Sequence, residues 1–310
     1  MNPALGIYLS KAASVMEGDL LPQGKDAGGS RAASPCPVHP KGAGPLPLSG
    51  IVDGERSRRI DPSRVRVGVD LGTAYTVLAV LDEHGQPLAG AYRFAQVVRD
   101  GLVVDFHGAI RLLEDLKRSV ERRLGFELTS AATAFPPGVS PNEVRATRHV
   151  VQAAGFDCEQ AIDEPTAANA ILQVENGAVV DVGGGTTGVA IFREGEVVLT
   201  ADEPTGGTHF SLVIAGALGI EFEEAERLKK NGANYRRLFP IVRPVMEKVG
   251  TIVARHVAGH DVETLYMVGG TACFPGMDAV VEQVTGIRTV VPGFPLFVTP
   301  LGTAMYHTPL

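Results

Sequence analysis

Tryptophan is absent, and only three cysteines, at 36, 158 and 273, are spread over 310 residues. Thiols so few and so scattered exclude a disulfide framework and suit a reducing compartment. No apolar run approaches the roughly 18 residues that cross a bilayer. The first 20 residues also lack the apolar stretch of a signal peptide, so the sequence predicts a cytoplasmic protein with no membrane partner. Basic residues are outnumbered, 28 against 35, for a net charge of -7, which disfavours a nucleic-acid partner. Between Lys41 and Lys117 there is no lysine at all. Core material is not lacking: 45% of the chain is hydrophobic, enough for one large or two smaller domains.

Residues 21–50 hold six prolines, six glycines and three serines, the chemistry of turns and linkers rather than of a packed core. Residues 1–64 are therefore predicted to form a disordered tail, with residues 21–64 spanning roughly 35–40 Å r.m.s. as a coil. Within it, Leu5, Tyr8, Leu9, Ala12, Met16 and Leu20 recur at helical spacing. Residues 3–20 thus read as a short amphipathic helix, either a tethered docking peptide or an unselected extension. Cys36 and His39 share C-x-x-H spacing, but two ligands do not make a zinc site.

The most informative stretch is residues 179–192. Residues 179–182 and 189–192 are apolar and β-rich, and Gly183-Gly184-Gly185-Thr186-Thr187-Gly188 lies between them. Consecutive glycines let a ligand approach the main chain. Asp181 stands just before the corner. Tight amides, small residues and a carboxylate suit a phosphate with a hydrated metal ion. The same residues satisfy G-x-G-x-x-G, but a dinucleotide fingerprint opens a helix, whereas here a second strand follows and then a hairpin turn at 193–196. A glycine-rich hairpin without a ligand is the competing reading of this stretch alone. It is countered by a repeat 111 residues earlier, where Val65, Val67, Val69 and Leu71 alternate into Asp70-Leu71-Gly72-Thr73-Ala74 and a second apolar run. Two copies of strand, aspartate, small corner, strand imply an internal duplication and two lobes facing one another.

The remaining segments fit around these corners. Residues 109–124 read as a helix with Ile110, Leu113, Leu116, Val120 and Leu124 on one face. Residues 130–135 read as a strand, and Ser140 or Asn142 caps a helix reaching 154. At Glu164-Pro165 a strand end meets a helix with proline in its first turn. Gly206-Gly207 opens a helix to 218 whose first amides suit phosphate oxygens. Residues 221–230 read as a charged, solvated helix with Glu223/Arg227 and Glu226/Lys230 at i,i+4. Residues 241–257 form a further helix, residues 265–270 a strand ending in Gly269-Gly270, and residues 298–304 open the last helix.

In this order the segments resemble the actin-like ATPase superfamily of actin, sugar kinases and DnaK-type chaperones. Asp70-Leu71-Gly72-Thr73 resembles its first phosphate motif and Asp181-Val182-Gly183-Gly184-Gly185-Thr186 its second. Glu164-Pro165-Thr166-Ala167-Ala168 resembles the first connecting motif of DnaK and MreB. Met267-Val268-Gly269-Gly270 resembles the adenosine motif, and Pro300-Leu301-Gly302-Thr303-Ala304 the second connecting helix. Within the superfamily, Val98-Arg99-Asp100-Gly101, Phe135-Pro136-Pro137-Gly138, Ala201-Asp202-Glu203 and residues 251–256 are similar to the EutJ family of ethanolamine utilization.

The resemblance implies an α/β actin-like fold of two duplicated ribonuclease-H-like lobes, each a mixed five-stranded sheet flanked by helices, with a nucleotide cleft between them. Lobe I would comprise residues 65–175 plus 298–310, and lobe II residues 176–297. The implied cofactors are ATP or ADP with Mg²⁺, held by Asp70 and Asp181, with Glu164 completing the catalytic set. Gly72, Thr73 and Ala74 would bind phosphate opposite Gly183, Gly184, Gly185 and Thr186. Gly206 and Gly207 would line the ribose side, Glu226 and Lys229 would form the nucleoside pair, and Gly269 and Gly270 would face the adenosine. The function implied is a slowly hydrolysing, chaperone-like switch. Its expected client is a protein of the ethanolamine microcompartment, either ethanolamine ammonia-lyase or a shell protein. The expected location is the cytoplasm, in association with that microcompartment. An actin-like scaffold with a static nucleotide and a small-metabolite kinase are the alternatives.

Departures from DnaK temper the expected chemistry. The first lobe lacks the lysine near the γ-phosphate. Gly188 takes the place of an aspartate, and Cys273 that of an arginine that stacks on adenine. Nucleotide binding is thus a safer expectation than fast hydrolysis. With no substrate-binding domain after residue 310, no DnaK-style peptide clamp is expected.

Overall fold

The structure, a computed structural model, describes residues 3–19, 60–99 and 101–309. Cys36, His39, Asp100 and the proline- and glycine-rich stretch lie outside the described residues. The chain opens with α1 (Pro3–Val15) and β1 (Met16–Asp19). Lobe I then runs through β2 (Arg66–Leu71), β3 (Tyr75–Leu81), β4 (Pro87–Phe94), the small hairpin β5 (Val98–Arg99) and β6 (Leu102–Val103), α2 (Phe106–Leu124), β7 (Ala132–Phe135), α3 (Pro141–Ala153), β8 (Ala161–Asp163) and α4 (Glu164–Leu172). Lobe II follows as β9 (Gly177–Val182), β10 (Thr187–Arg193), β11 (Glu196–Glu203), α5 (Gly207–Leu218), α6 (Phe222–Lys230), α7 (Tyr235–Val257), β12 (Thr264–Val268), α8 (Met277–Thr285) and β13 (Arg288–Val290). The chain finally returns to the first sheet as α9 (Val298–Tyr306).

The two sheets share one topology. Their strand orders are β1-β4-β3-β2-β7-β8 and β11-β10-β9-β12-β13. Without β1, each is an antiparallel three-strand meander whose first strand takes two parallel neighbours on its other side. The duplication suggested by two short corners therefore extends across ten strands.

Period-2 alternation decides which way the acids point. In β2, Val67, Val69 and Leu71 join the lobe I core, which leaves Gly68 and Asp70 on the opposite face. In β9, Ala178, Val180 and Val182 join the lobe II core, while Val179 joins a third cluster between the sheets, on the same side as Asp181. That cluster combines Val77, Ala79 and Leu81 of lobe I, Val179, Ala190, Phe192 and Val268 of lobe II, Ala168 of α4, and Leu301 and Ala304 of α9. Helices α4 and α9 cross here at a distance that only small residues allow: a Cβ on Gly302 would stand 1.8 Å from the Ala167 carbonyl oxygen.

The helix starts obey local capping chemistry. Asp105 caps α2, Ser140 caps α3 in a reciprocal capping box with Glu143, and Asp163 caps α4. The helix expected over 241–257 begins earlier, at Tyr235, and runs through Pro240 and Pro244. The N-terminus differs from the expected tail. Its helix ends at Val15, and residues 16–19 pair in parallel with β4 as a sixth strand. Leu9, Ala12 and Ala13 are buried in the inter-sheet cluster. The Arg123 guanidinium donates to the Val15 carbonyl (2.8 Å) and to the Gly90 carbonyl (3.0 Å), which ties down the end of α1. Among the described residues no helix is long and apolar enough to cross a membrane.

Candidate functional site

A cleft of about 1250 Å³, its open mouth included, lies between the lobes. Of the residues expected at the site, Asp70, Gly72, Thr73, Ala74, Glu164, Asp181, Gly183, Gly184, Gly185, Thr186, Gly207, Glu226, Lys229, Gly269 and Gly270 all line it. Gly206 does not. It packs beneath the second corner, where a Cβ would stand 2.7 Å from the Gly183 carbonyl oxygen.

The two corners are built alike. Each aspartate is the fifth residue of its strand, and two residues on an amide closes the turn: Gly72 donates to the Tyr75 carbonyl and Gly183 to the Thr186 carbonyl, both at 3.0 Å. The corners also touch. A Cβ on Gly184 would stand 2.8 Å from the Ala74 Cβ and 2.9 Å from the Ala74 nitrogen. Only a glycine admits so close an approach. Among the described residues, the amides of Thr73, Ala74, Gly184 and Gly185 donate to no protein acceptor, although all four residues line the cleft.

The helix-start reading of Gly206-Gly207 needs correction. The first amides of α5 are already engaged: Gly207 donates to the Gly183 carbonyl (3.0 Å) and Thr208 to the Gly184 carbonyl (2.7 Å). The Thr271 hydroxyl donates to the Gly183 carbonyl as well (2.7 Å). The N-terminus of α5 thus braces the second corner rather than facing a phosphate directly.

Three carboxyl groups converge on this end. Burial lifts Asp70 to about 7, helped by the Asp181 charge. Burial lifts Asp181 to about 6, opposed by the Thr299 hydroxyl that donates to its Oδ2. Glu164 is pushed well above the ordinary carboxylate range, by burial and then by Asp181, Asp70, Asp202 and Asp163. Thr299 stands at the start of α9, a position the sequence marked only as small-residue helix. Asp202 comes near through register, since it is the cross-strand partner of Gly188, which packs against Pro165 beside Glu164. Among the described residues, no group of three or more His, Cys, Asp or Glu side chains is arranged to hold a metal by itself. Free amides call for an anion and crowded carboxylates for a cation. A phosphate carrying a hydrated divalent ion, bound through one or two carboxylates, supplies both.

The other end of the cleft corrects the solvated-helix reading of α6. Glu226 is buried, with a relative exposure of 4%. Its Oε1 accepts from the Ser211 hydroxyl (2.8 Å) and from Lys229, whose ammonium also donates to the Gly207 carbonyl (2.8 Å). Burial pushes Glu226 upward, but the Lys229 and Lys230 ammoniums outweigh it and hold the carboxyl below its usual range. Burial lowers Lys230 to about 8 despite the Glu226 carboxylate. Tyr75, Phe210, Tyr235 and Phe274 line this half, with Tyr235 and Phe274 ring centroids 4.8 Å apart. Cys273 lines it too.

Comparison with known proteins agrees with this architecture. Residues 89–231 match the MreB/Mbl protein family and residues 178–308 the cell division protein FtsA family. Ethanolamine utilization protein EutJ of Salmonella typhimurium is 44% identical over 239 residues, 77% of this chain and 84% of that protein. The crystal structure of EutJ from Carboxydothermus hydrogenoformans is 49% identical with a TM-score of 0.75, covering 78% of this chain and 90% of that one. MreB5 of Spiroplasma citri bound to AMPPNP shares the fold at 17% identity, with a TM-score of 0.64 over 79% of this chain and 96% of that one.

Proposed function

Starting from a chain that belongs to the EutJ family of ethanolamine utilization proteins and carries the actin-like ATPase fold, we propose that it is an ATP-binding, chaperone-like conformational switch. The carrying observation is the convergence of Asp70, Glu164 and Asp181 with two touching glycine corners in one interlobe cleft. In this reading Asp70 and Asp181 would hold hydrated Mg²⁺. The Thr73, Ala74, Gly184 and Gly185 amides take phosphate oxygens, and Glu226 and Lys229 hold the nucleoside. Bound Mg²⁺ supplies neutralisation of phosphate charge. The chain itself supplies orientation and a set of fixed dipoles, which is most of what phosphoryl transfer asks of a protein. Glu164, which burial and the neighbouring carboxylates push toward its neutral form, orients water at the phosphate end.

The client is a protein of the ethanolamine microcompartment, ethanolamine ammonia-lyase or a shell protein, and the cleft's nucleotide state sets the surface it meets. Calorimetric titration with Mg·ATP and Mg·ADP tests the first half. Wild type is expected to bind and Asp181→Ala to lose at least tenfold in affinity; absence of heat for wild type rejects the reading. Co-elution of purified ethanolamine ammonia-lyase with the protein in ATP and then in ADP tests the second, with a nucleotide-dependent difference expected.

A further inference from the structure

We propose that Lys230 is a clasp across the mouth of the cleft. Its ammonium, carried by α6 of lobe II, is held on the ring faces of Phe94 and Tyr75 of lobe I, and release of this contact gates nucleotide escape. The proposal rests on the nucleotide reading above and adds the regulation of that site.

The geometry is specific. The Lys230 Nζ lies 3.3 Å from the Phe94 ring centroid and 4.9 Å from that of Tyr75. It also stands 3.2 Å from Glu226 Oε2, an ion pair at i,i+4 along α6. An ammonium at the end of a lobe II helix is therefore covered by lobe I rings and answered by one carboxylate. Cation–π attraction grows when the pair is desolvated, and lobe separation would return Nζ to water. The contact is thus strong only while the cleft is closed.

The aromatic half is braced from behind. Tyr75 meets Phe94 edge to face at 5.7 Å, and Tyr92 at 6.0 Å. Tyr92 packs on Phe297 at 5.4 Å. Gly18 of β1 presses on Tyr92, where a Cβ would stand 2.5 Å from three ring carbons. The lysine half is tied to the nucleoside pair, because Glu226 offers Oε1 to Lys229 and Oε2 to Lys230.

One asymmetry makes the proposal testable. Lys230 lines the cleft and Phe94 does not. Phe94 reaches the cleft by two routes, through Lys230 on its ring face and through Tyr75 packed on its edge, and the double variant decides which of them carries its effect on escape. Stopped-flow dissociation of a fluorescent ADP analogue from wild type, Lys230→Met, Phe94→Leu and the double variant reads this directly. Each single substitution is expected to speed dissociation roughly 10-fold, and the double variant no more than either alone. Lys230→Arg, which also stacks on rings, retains most of the slow rate. An unchanged rate in Phe94→Leu, or fully additive effects, overturns the clasp. Hydrogen exchange of nucleotide-free protein separates this failure from that of the nucleotide reading. The clasp predicts faster exchange at Gly72 and Gly183, whose amides close the two corners, in both single variants, and unchanged exchange rejects it. A wild type that binds no nucleotide rejects the nucleotide reading and with it the gating of escape, and loosened amides in Lys230→Met then show only that Lys230 holds the lobes together.

Discussion

Asp70, Glu164 and Asp181 occupy positions where their charged forms are disfavoured, and this has a thermodynamic consequence without any ligand. A carboxyl whose folded pKa is raised binds more protons in the folded than in the unfolded chain between the two values, so stability falls as pH rises through that window. With Asp70 at about 7 and Asp181 at about 6, against an unfolded value of 3.8, the ligand-free protein should lose stability from about pH 4 to pH 7. Asp70→Asn removes one such group. It should therefore melt higher than wild type at pH 8 and nearly level with it at pH 4, while binding Mg·ATP more weakly. Scanning calorimetry at the two pH values checks the first outcome, and a lower melting temperature for the variant at pH 8 contradicts it. The sign is opposite to that of a paired surface aspartate, which is why Asp70 and Asp181 read as a site rather than as structural ion pairs. These acids were legible in the sequence because alternation placed each of them on one face at a strand end. Thr299 was not, because a hydroxyl 118 residues from Asp181 leaves no local pattern. Lys230 and Phe94 likewise meet only in three dimensions.

Elements were legible where period and capping agreed. The strand-corner-strand repeat, the Ser140 capping box and the proline-led start of α4 are local signals, and the fold follows them. Misreadings came where tertiary packing overrode local chemistry. Glu226 and Lys230 look like a solvated i,i+4 pair, but Ser211 and Gly207 of α5 engage Glu226 and Lys229, and lobe I rings cover Lys230. The helix expected over 241–257 starts instead at Tyr235 and carries Pro240 and Pro244 inside it. Strand β13 has three residues, too few to show a period, and β1 is an edge strand that the chain contributes from far away in sequence. The glycines of α9 and α5 separate packing from propensity in a measurable way. Gly302→Ala would drive a methyl into the Ala167 carbonyl and should destabilise by about 1–3 kcal/mol. Gly216→Ala lies in α5 with nothing within 4 Å of its Cβ and should stabilise by about 0.4–1 kcal/mol. Urea denaturation of the two variants should move their midpoints in opposite directions. Equal shifts would mean that the α4–α9 crossing is loose.

At the scale of the whole molecule, the lobes share one core behind and separate in front. Val77, Ala79 and Leu81 meet Val179, Ala190 and Phe192 through α4 and α9, while the acids and glycine corners face the cleft. A ligand seated there touches both lobes and neither alone, so its binding energy should appear as stability of the assembled pair. At a Mg·nucleotide concentration about 100 times its Kd, mass action adds about 2.7 kcal/mol. For a chain of this size that raises the melting temperature by about 5 °C. The increase should be shared by both lobes as one transition, because a lobe that unfolded alone would release the ligand. Calorimetry with Mg·ATP, with ATP and a chelator, and with Asp181→Ala distinguishes the contributions. The full shift is expected only in the first. A shift equal with and without the metal would mean that the carboxylates take no part. Two separate transitions in saturating Mg·ATP would mean that the nucleotide sits on one lobe instead of between them.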